Sequence, residues 1–252
     1  MIHAKEAQLW SSPMQNQIFA AIDTQDPVHA TYLATALTDV VGGVKLGLEF
    51  FSANGPDGAR KIADTGMPLF LDLKFHDIPN TVAGAIRAAV SLEPAIINVH
   101  AAGGTAMMKA AANAVTESAD SLGVAKPILI AVTVLTSLDD ADLAAVGQPG
   151  ASADQVVRLA KLTEDCGLDG VVCSPREIKA IRMACNDDFK LIVPGIRPAG
   201  SKAGDQKRTM TPADAIRAGA DYLIIGRPIT TADDPAEAAR AIVATINAIK
   251  TS

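Results

Sequence analysis

Two periods take turns along this chain. Short apolar runs whose residues alternate faces are followed by longer segments whose apolar residues return every three or four positions, the spacings of a half-buried or buried strand and of an amphipathic helix. The strand-type runs are Ile18-Phe-Ala-Ala-Ile22, Gly43-Val-Lys-Leu-Gly-Leu48, Leu69 to Lys74, Ala95-Ile-Ile-Asn-Val-His100, Pro127 to Leu135, Gly170-Val-Val-Cys-Ser174, Phe189-Lys-Leu-Ile-Val-Pro194 and Tyr222-Leu-Ile-Ile-Gly226. Between them, helices are expected from Asp26-Pro27 to Val40, Gly55 to Thr65 with Gly66 as cap, Thr81 to Leu92, and after Gly103-Gly104. Further helices should open at Ser152 and end at Gly167, open at Pro175, run from Thr211-Pro212 to Gly219, and run from Pro235 to Lys250. Proline at the first helical position and glycine just past the end are the expected punctuation. Near-continuous apolar strands imply a parallel sheet buried on both faces. Eight strand–helix units in about 250 residues make a (β/α)8 barrel in one domain, spanning 1–252. An open doubly wound sheet is the rival, but it needs fewer strands, and the first strand–helix turn carries no Gly-x-Gly-x-x-Gly.

Bulk properties narrow the function. The chain has 252 residues, of which 49% are hydrophobic, enough for a large core. A net charge of −6 argues against a nucleic-acid partner, and two tyrosines with one tryptophan give no stacking surface for bases. No apolar run reaches the ~18 residues of a membrane span. Three cysteines, Cys166, Cys173 and Cys185, form no Cys-x-x-Cys and cannot all pair within one chain, which suits a reduced cytoplasmic protein with no structural metal. Residues 1–16 read as a polar arm over the barrel bottom.

In such a barrel the chemistry sits at the C-terminal strand ends. Asp23, Lys45, Asp72, Lys74 and, just beyond, Asp77 are the charged residues there. Two ammoniums and three carboxylates in one small volume make sense only as a network, because an unpaired buried charge is costly. An Asp-x-Lys-x-x-Asp alone is more often a surface ion-pair cluster than a catalytic set. Carboxylates around Lys74 favour its charged form, hence a proton donor and not the neutral amine an aldolase needs. After strands seven and eight come Pro194-Gly-Ile-Arg197 and Ile225-Gly-Arg227, where many barrels bind phosphate: Gly226 admits an anion to the backbone, and Arg197 and Arg227 offer guanidinium forks. The long polar stretch 197–208 reads as a lid over that phosphate.

Phe70-Leu-Asp-Leu-Lys-Phe-His-Asp-Ile-Pro-Asn-Thr81 resembles the signature of the orotidine 5′-phosphate decarboxylase family. Leu46-Gly-Leu-Glu-Phe50, Val99-His-Ala-Ala-Gly103, Leu135-Thr-Ser137, Pro194-Gly-Ile-Arg-Pro198 and Gly226-Arg-Pro228 support it, and the resemblance runs from Asp23 to Arg227. It implies loss of CO2 from orotidine 5′-phosphate to give UMP, with no cofactor and no metal. It implies that Lys74 protonates the carbon CO2 leaves, and that Asp72 lies by the substrate carboxylate and pairs with Lys45 and Lys74. Asp77 would complete the tetrad from a neighbouring subunit of a homodimer, and Thr81 would reach the same neighbour's site. Asp23 and Lys45 would hold ribose hydroxyls, Thr136 and Ser137 the pyrimidine end, and Arg197, Gln206, Arg227 and the Gly226 backbone the phosphate, with Pro194 at the start of that loop. His76 reads as structural or interfacial, and His100 as facing the mouth. The rivals are a magnesium-dependent sugar-phosphate decarboxylase or aldolase-like synthase of the same barrel superfamily, and a non-catalytic sensor of phosphate ligands. The first is not expected to carry Thr136-Ser137 or Gln206, and binding alone does not require so dense a charge cluster.

Overall fold

Eight parallel strands close on themselves, each hydrogen-bonded to the next and β8 back to β1. The structure is a computed structural model that describes residues 16–198 and 209–250. The expected arm at 1–16 and lid at 197–208, Gln206 included, fall almost wholly outside the described residues. The strands are β1 (Ile18–Ile22), β2 (Gly43–Gly47), β3 (Leu69–Phe75), β4 (Ile96–His100), β5 (Ile128–Val132), β6 (Gly170–Val172), β7 (Lys190–Val193) and β8 (Tyr222–Ile225). The helices are α1 (Pro27–Ala36), α2 (Leu48–Ala63), α3 (Pro79–Val90), α4 (Gly104–Leu122), α5 (Asp140–Ala145), α6 (Ser152–Asp165), α7 (Ile178–Ala184), α8 (Pro212–Ala218), α9 (Arg227–Thr230) and α10 (Pro235–Lys250). This is the expected (β/α)8 barrel.

Alternation along the strands divides the core in two. Phe19, Ala21, Phe70, Ile96, Ile130, Ile192 and Ile224 pack together inside the barrel. Their neighbours, such as Ile18, Ala20, Leu69, Leu71 and Ile97, face outward and pack with the helices. The rings of Phe19 and Phe70 meet edge to face, with centroids 6.4 Å apart. This apolar plug is the floor on which the site stands.

Local chemistry explains where elements begin and where sequence expectations need correction. Asp26 caps α1 by accepting the Val28 N–H at 2.8 Å, with Pro27 at the first helical position. That helix stops at Ala36 and not at Val40, because residues 37–41 turn while Val40 and Val41 still bury against the core. The second helix starts at Leu48, directly after β2, and Gly55 at φ +61° followed by Pro56 kinks it; the expected start at Gly55 is that kink. Pro79, not Thr81, begins α3. The run expected to carry β5 through to Leu135-Thr136-Ser137 ends as a strand at Val132, where the Thr133 hydroxyl bonds to the Val172 carbonyl and the chain turns away. Strands six and seven are likewise shorter than their apolar runs. The short helices α5 and α9 were not anticipated; the first is fixed by a capping box between Asp139 and Asp142.

Candidate active site

The lumen-facing positions continue upward from the floor. On β2 they are Lys45 and Gly47, on β3 Phe70 and Asp72, on β4 Ile96, Asn98 and His100. Register places Lys45 beside Phe70 and Gly47 beside Asp72. Lys45 therefore starts one layer below Asp72 and rises past a residue with no side chain. A Cβ at Gly47 would stand 3.1 Å from the Lys45 ammonium, so glycine is what leaves it room.

Asp72 is the hub of the charges. Its Oδ1 receives the Lys74 ammonium at 2.7 Å and its Oδ2 lies 3.2 Å from the Lys45 ammonium. Lys45 also reaches Asp23 Oδ1 at 3.5 Å. Lys45 and Asp72 are each only 8% exposed. Burial by itself raises the pKa of the Asp72 carboxyl. The two ammoniums, with hydrogen bonds from Lys74 and Asn98, outweigh that and hold the group below its ordinary value. The carboxylate thus stays charged at neutral pH, and its two oxygens are already engaged by cations.

Asn98 was not singled out by the sequence reading. It is fully buried and donates from Nδ2 to Asp72 Oδ1 at 2.7 Å, while its Oδ1 accepts the Lys74 backbone N–H at 2.8 Å. The signal was present: it is the polar residue on the lumen face of β4, between Ile96 and His100.

A cavity of about 180 Å³ opens above the floor, lined among others by Lys45, Asp72, Lys74, Val132, Thr136 and Pro194. Two larger depressions lie near the opposite, N-terminal strand ends, around Lys126–Lys190 and Arg60–Glu93, away from every charge described above. On the far side of the mouth stand Arg197 and Arg227. Burial, followed by the charge of Arg227, depresses the basicity of the Arg197 guanidinium. The two guanidiniums thus lie near enough for their charges to act on one another. Gly195, at φ +77°, turns the chain after β7. Arg197 N–H then bonds to the Met210 carbonyl at 3.0 Å, and a bridge pairs Ile196 with Met210, so the two ends of the loop 197–208 are fastened together. Gly226 sits beside Ala21 and Asp23: a Cβ there would lie 3.8 Å from the Asp23 carboxylate. The glycine after β8 and the carboxylate after β1 are thus adjacent.

A model of the family described as orotidine 5′-phosphate decarboxylase / HUMPS matches residues 16–242. The chain belongs to this family. It is 58% identical over 233 residues to an orotidine 5′-phosphate decarboxylase of Rhodospirillum rubrum, covering 92% of this chain and 94% of that one. It is 56% identical over 231 residues to that of Paramagnetospirillum magneticum, covering 92% and 98%. Among solved structures, the orotidine 5′-phosphate decarboxylase of Lactobacillus acidophilus superposes with a TM-score of 0.78 at 36% identity, covering 92% of this chain and 99% of that one.

Among the residues that the decarboxylase signature marks, the structure brings Asp23, Lys45, Asp72 and Lys74 together and leaves Asp77 apart. Asp77 is exposed; its Oδ1 accepts the Ile78 N–H at 2.6 Å, and it forms no ion pair with a described residue. Within one chain, then, the five charges do not all share the cavity. The physical reason is that the strand ends at Phe75 and Pro79 starts α3 in a new direction, which carries Asp77 and Thr81 outward. Thr136 lines the cavity and Ser137 is exposed beyond it. The His76 and His100 rings stack at 5.3 Å beside the mouth. Cys166, Cys173 and Cys185 are free thiols, and burial pushes Cys173 well up and Cys185 to about 11, so neither supplies a thiolate at neutral pH. Among the described residues no group of three or more His, Cys, Asp or Glu is arranged to hold a metal, and no helix is long and apolar enough to cross a membrane.

Proposed function

We propose that the mouth of this barrel decarboxylates orotidine 5′-phosphate to UMP in pyrimidine biosynthesis, with Lys74 as the proton donor and no cofactor. The observation that carries this reading is the Asp72 carboxylate held between two ammoniums at the rim of an apolar plug. The bond between the ring carbon and the carboxyl carbon breaks, CO2 departs, and the electron pair stays on the ring carbon in the ring plane. No adjoining π system accepts that pair. The charge must be met electrostatically by a group already in place, which is what a fixed ammonium in a water-poor site does. Lys74 then transfers a proton from Nζ to that carbon, giving UMP, and recovers its proton from water. The substrate carboxylate enters next to the Asp72 carboxylate, and departure of CO2 relieves that like-charge contact.

Arg197, Arg227 and the Gly226–Arg227 backbone take the phosphate, together with Gln206 as the family resemblance implies. Asp23 and Lys45 take the ribose hydroxyls, and Thr136, Ser137 and Pro194 border the pyrimidine. Positioned proton transfer contributes ~10²–10⁴-fold, too little alone for so poor a leaving electron pair. Binding energy at the phosphate, remote from the reacting carbon, supplies organisation of the site.

The site is completed by a second copy of the chain. Asp77 has no charged partner within its own described chain, and the neighbouring Ile78 is 67% exposed. A two-fold dimer buries that apolar side chain and brings Asp77 and Thr81 to the neighbour's Lys74. On this reading the protein is a single-domain cytoplasmic homodimer.

Loss of orotidine 5′-phosphate absorbance on addition of purified protein tests the reaction. The shared site is tested by subunit mixing. Lys74→Ala and Asp77→Ala homodimers are each expected to be nearly inactive. Random exchange of equal amounts makes half the dimers mixed, each with one intact site of two, so activity recovers to about a quarter of wild type. Mixtures that stay dead after exchange is verified by mass spectrometry overturn the cross-subunit role of Asp77.

A further inference from the structure

The ladder between β3 and β4 is broken where the chemistry sits. Leu71 pairs with Ile97, but the next partner of Val99 is Phe75, so β3 spends four residues where β4 spends two. The surplus is absorbed at Asp72, Leu73 and Lys74, and Lys74 adopts φ +52°. That left-handed conformation is unfavourable for a residue with a Cβ, and such strain persists only where surroundings enforce it. A bulge also orphans backbone groups of the ladder. The side chain of Asn98 takes their place.

The orientation of that amide follows from its partners. A backbone N–H only donates and a carboxylate only accepts, so Oδ1 must face Lys74 and Nδ2 must face Asp72. The result is a closed ring of contacts: Asp72 carboxylate to Asn98 amide at 2.7 Å, Asn98 amide to Lys74 backbone at 2.8 Å, and the Lys74 ammonium back to the same Asp72 oxygen at 2.7 Å. One buried side chain ties both ends of the Asp72–Lys74 pair.

We propose that Asn98 is the positioning residue of the reaction: it fixes the left-handed backbone of Lys74 and the rotamer of Asp72 together, and thereby aims the ammonium at the reacting carbon. It does not touch substrate. The inference rests on Lys74 being the proton donor, and Lys74→Ala is the control that tests this separately.

The informative variant is Asn98→Asp, which is isosteric. It still accepts the Lys74 N–H, but when ionised it presents a like charge to Asp72 in place of a donor. When protonated, its hydroxyl restores the donor and its carbonyl keeps the acceptor. Asn98→Ala removes both contacts. Misaiming a reactive group by about 1 Å costs on the order of 10²-fold. Both variants are therefore expected to lose about 10²-fold in kcat at pH 8, with UMP affinity unchanged, since the phosphate and ribose contacts lie elsewhere. For Asn98→Asp the ratio of variant to wild-type kcat should rise as pH is lowered from about 8 to about 5, because the Asp72 charge favours the protonated form. The titratable groups facing position 98 are Asp72 and Lys74 on β3, Lys45 on β2 beyond Asp72, and His100 on its own strand. All four are present in wild type, so the ratio isolates the new carboxyl.

A Lys74→Ala enzyme that keeps its activity overturns the proton-donor reading itself. Inactive Lys74→Ala with Asn98 variants at wild-type kcat overturns the positioning role alone. A parallel fall of kcat, UMP affinity and thermal midpoint in both Asn98 variants, with a pH-independent ratio, reduces Asn98 to a structural residue. Should Asn98→Ala fail to fold, the pH-dependent ratio of the isosteric variant still decides.

Discussion

Arg227→Ala separates binding from folding in a way the structure makes quantitative. In the free protein Arg227 is exposed and lies close enough to Arg197 for its charge to weaken that residue's basicity. Removing Arg227 takes away an exposed side chain, so the thermal midpoint of ligand-free protein should change far less than UMP affinity does. With phosphate bound, the same deletion removes a charged hydrogen bond worth about 1.5–3 kcal/mol. At 1.4 kcal/mol per decade this weakens UMP roughly 10- to 150-fold. Titration calorimetry with UMP, thermal unfolding without ligand, and decarboxylation of orotidine 5′-phosphate beside phosphate-free orotidine make the comparison. The rate on the phosphorylated substrate should fall by at least the affinity factor, while the rate on orotidine stays put. Equal losses on both substrates, or a midpoint several degrees lower without ligand, would refute the assignment of Arg227 to the phosphate.

Asp72→Ala leaves the Lys45 and Lys74 ammoniums without their common anion; breaking such a partly buried pair costs about 3 kcal/mol, so urea unfolding should show that loss along with abolished activity, and an unchanged midpoint would deny Asp72 its hub role. Activity should survive exhaustive EDTA, because both Asp72 oxygens already face ammoniums at 2.7 and 3.2 Å and a divalent cation would meet those charges; loss on chelation with recovery on added Mg2+ would favour the sugar-phosphate relatives. His100 is held below its ordinary pKa by burial first, then by the charges of His76 and Lys74. Below about pH 6.5 the unfolded chain binds a proton that folded His100 resists, so stability should decline as pH falls through that range. His100→Gln should flatten that acid slope in thermal melts between pH 7 and 5.5, and an unaltered slope would place the pH dependence elsewhere.

How much of this was legible in the sequence depends on whether the signal was periodic or local. Strand and helix alternation is periodic, and it predicted the barrel and the lumen positions of Lys45, Asp72 and Lys74. Ends are local and went wrong where a residue's own chemistry overrode the pattern: Thr133 bonds to β6 and stops β5 early, and Gly55–Pro56 kinks a helix that starts earlier. Asp77 lies beyond the strand, where alternation places nothing: Phe75 ends β3, Pro79 redirects the chain, and the side chain is exposed. Asn98 was hidden because its role depends on a register shift between two strands. A single strand read alone shows a polar lumen position but not what it ties together.

The same rim that holds the chemistry concentrates unfavourable terms in the free protein. Arg197 and Arg227 repel, Lys74 is held at φ +52°, and Lys45 and Asp72 are charged groups withdrawn from water. Each is tolerated because the surrounding barrel over-determines it: the Phe19–Phe70 plug beneath, the glycine at 47 beside the ammonium, and the Asn98 amide across the bulge. A phosphate dianion between the arginines removes the first of these terms on binding. It does so at the end of the substrate away from the carbon that loses CO2. On the proposed function, the free energy released there is available to hold the site in its working arrangement around Lys74. Remote phosphate contacts and the aim of one ammonium are in this sense parts of a single device. Arg227→Ala should accordingly lower turnover as well as substrate affinity, whereas Asn98→Ala should lower turnover alone.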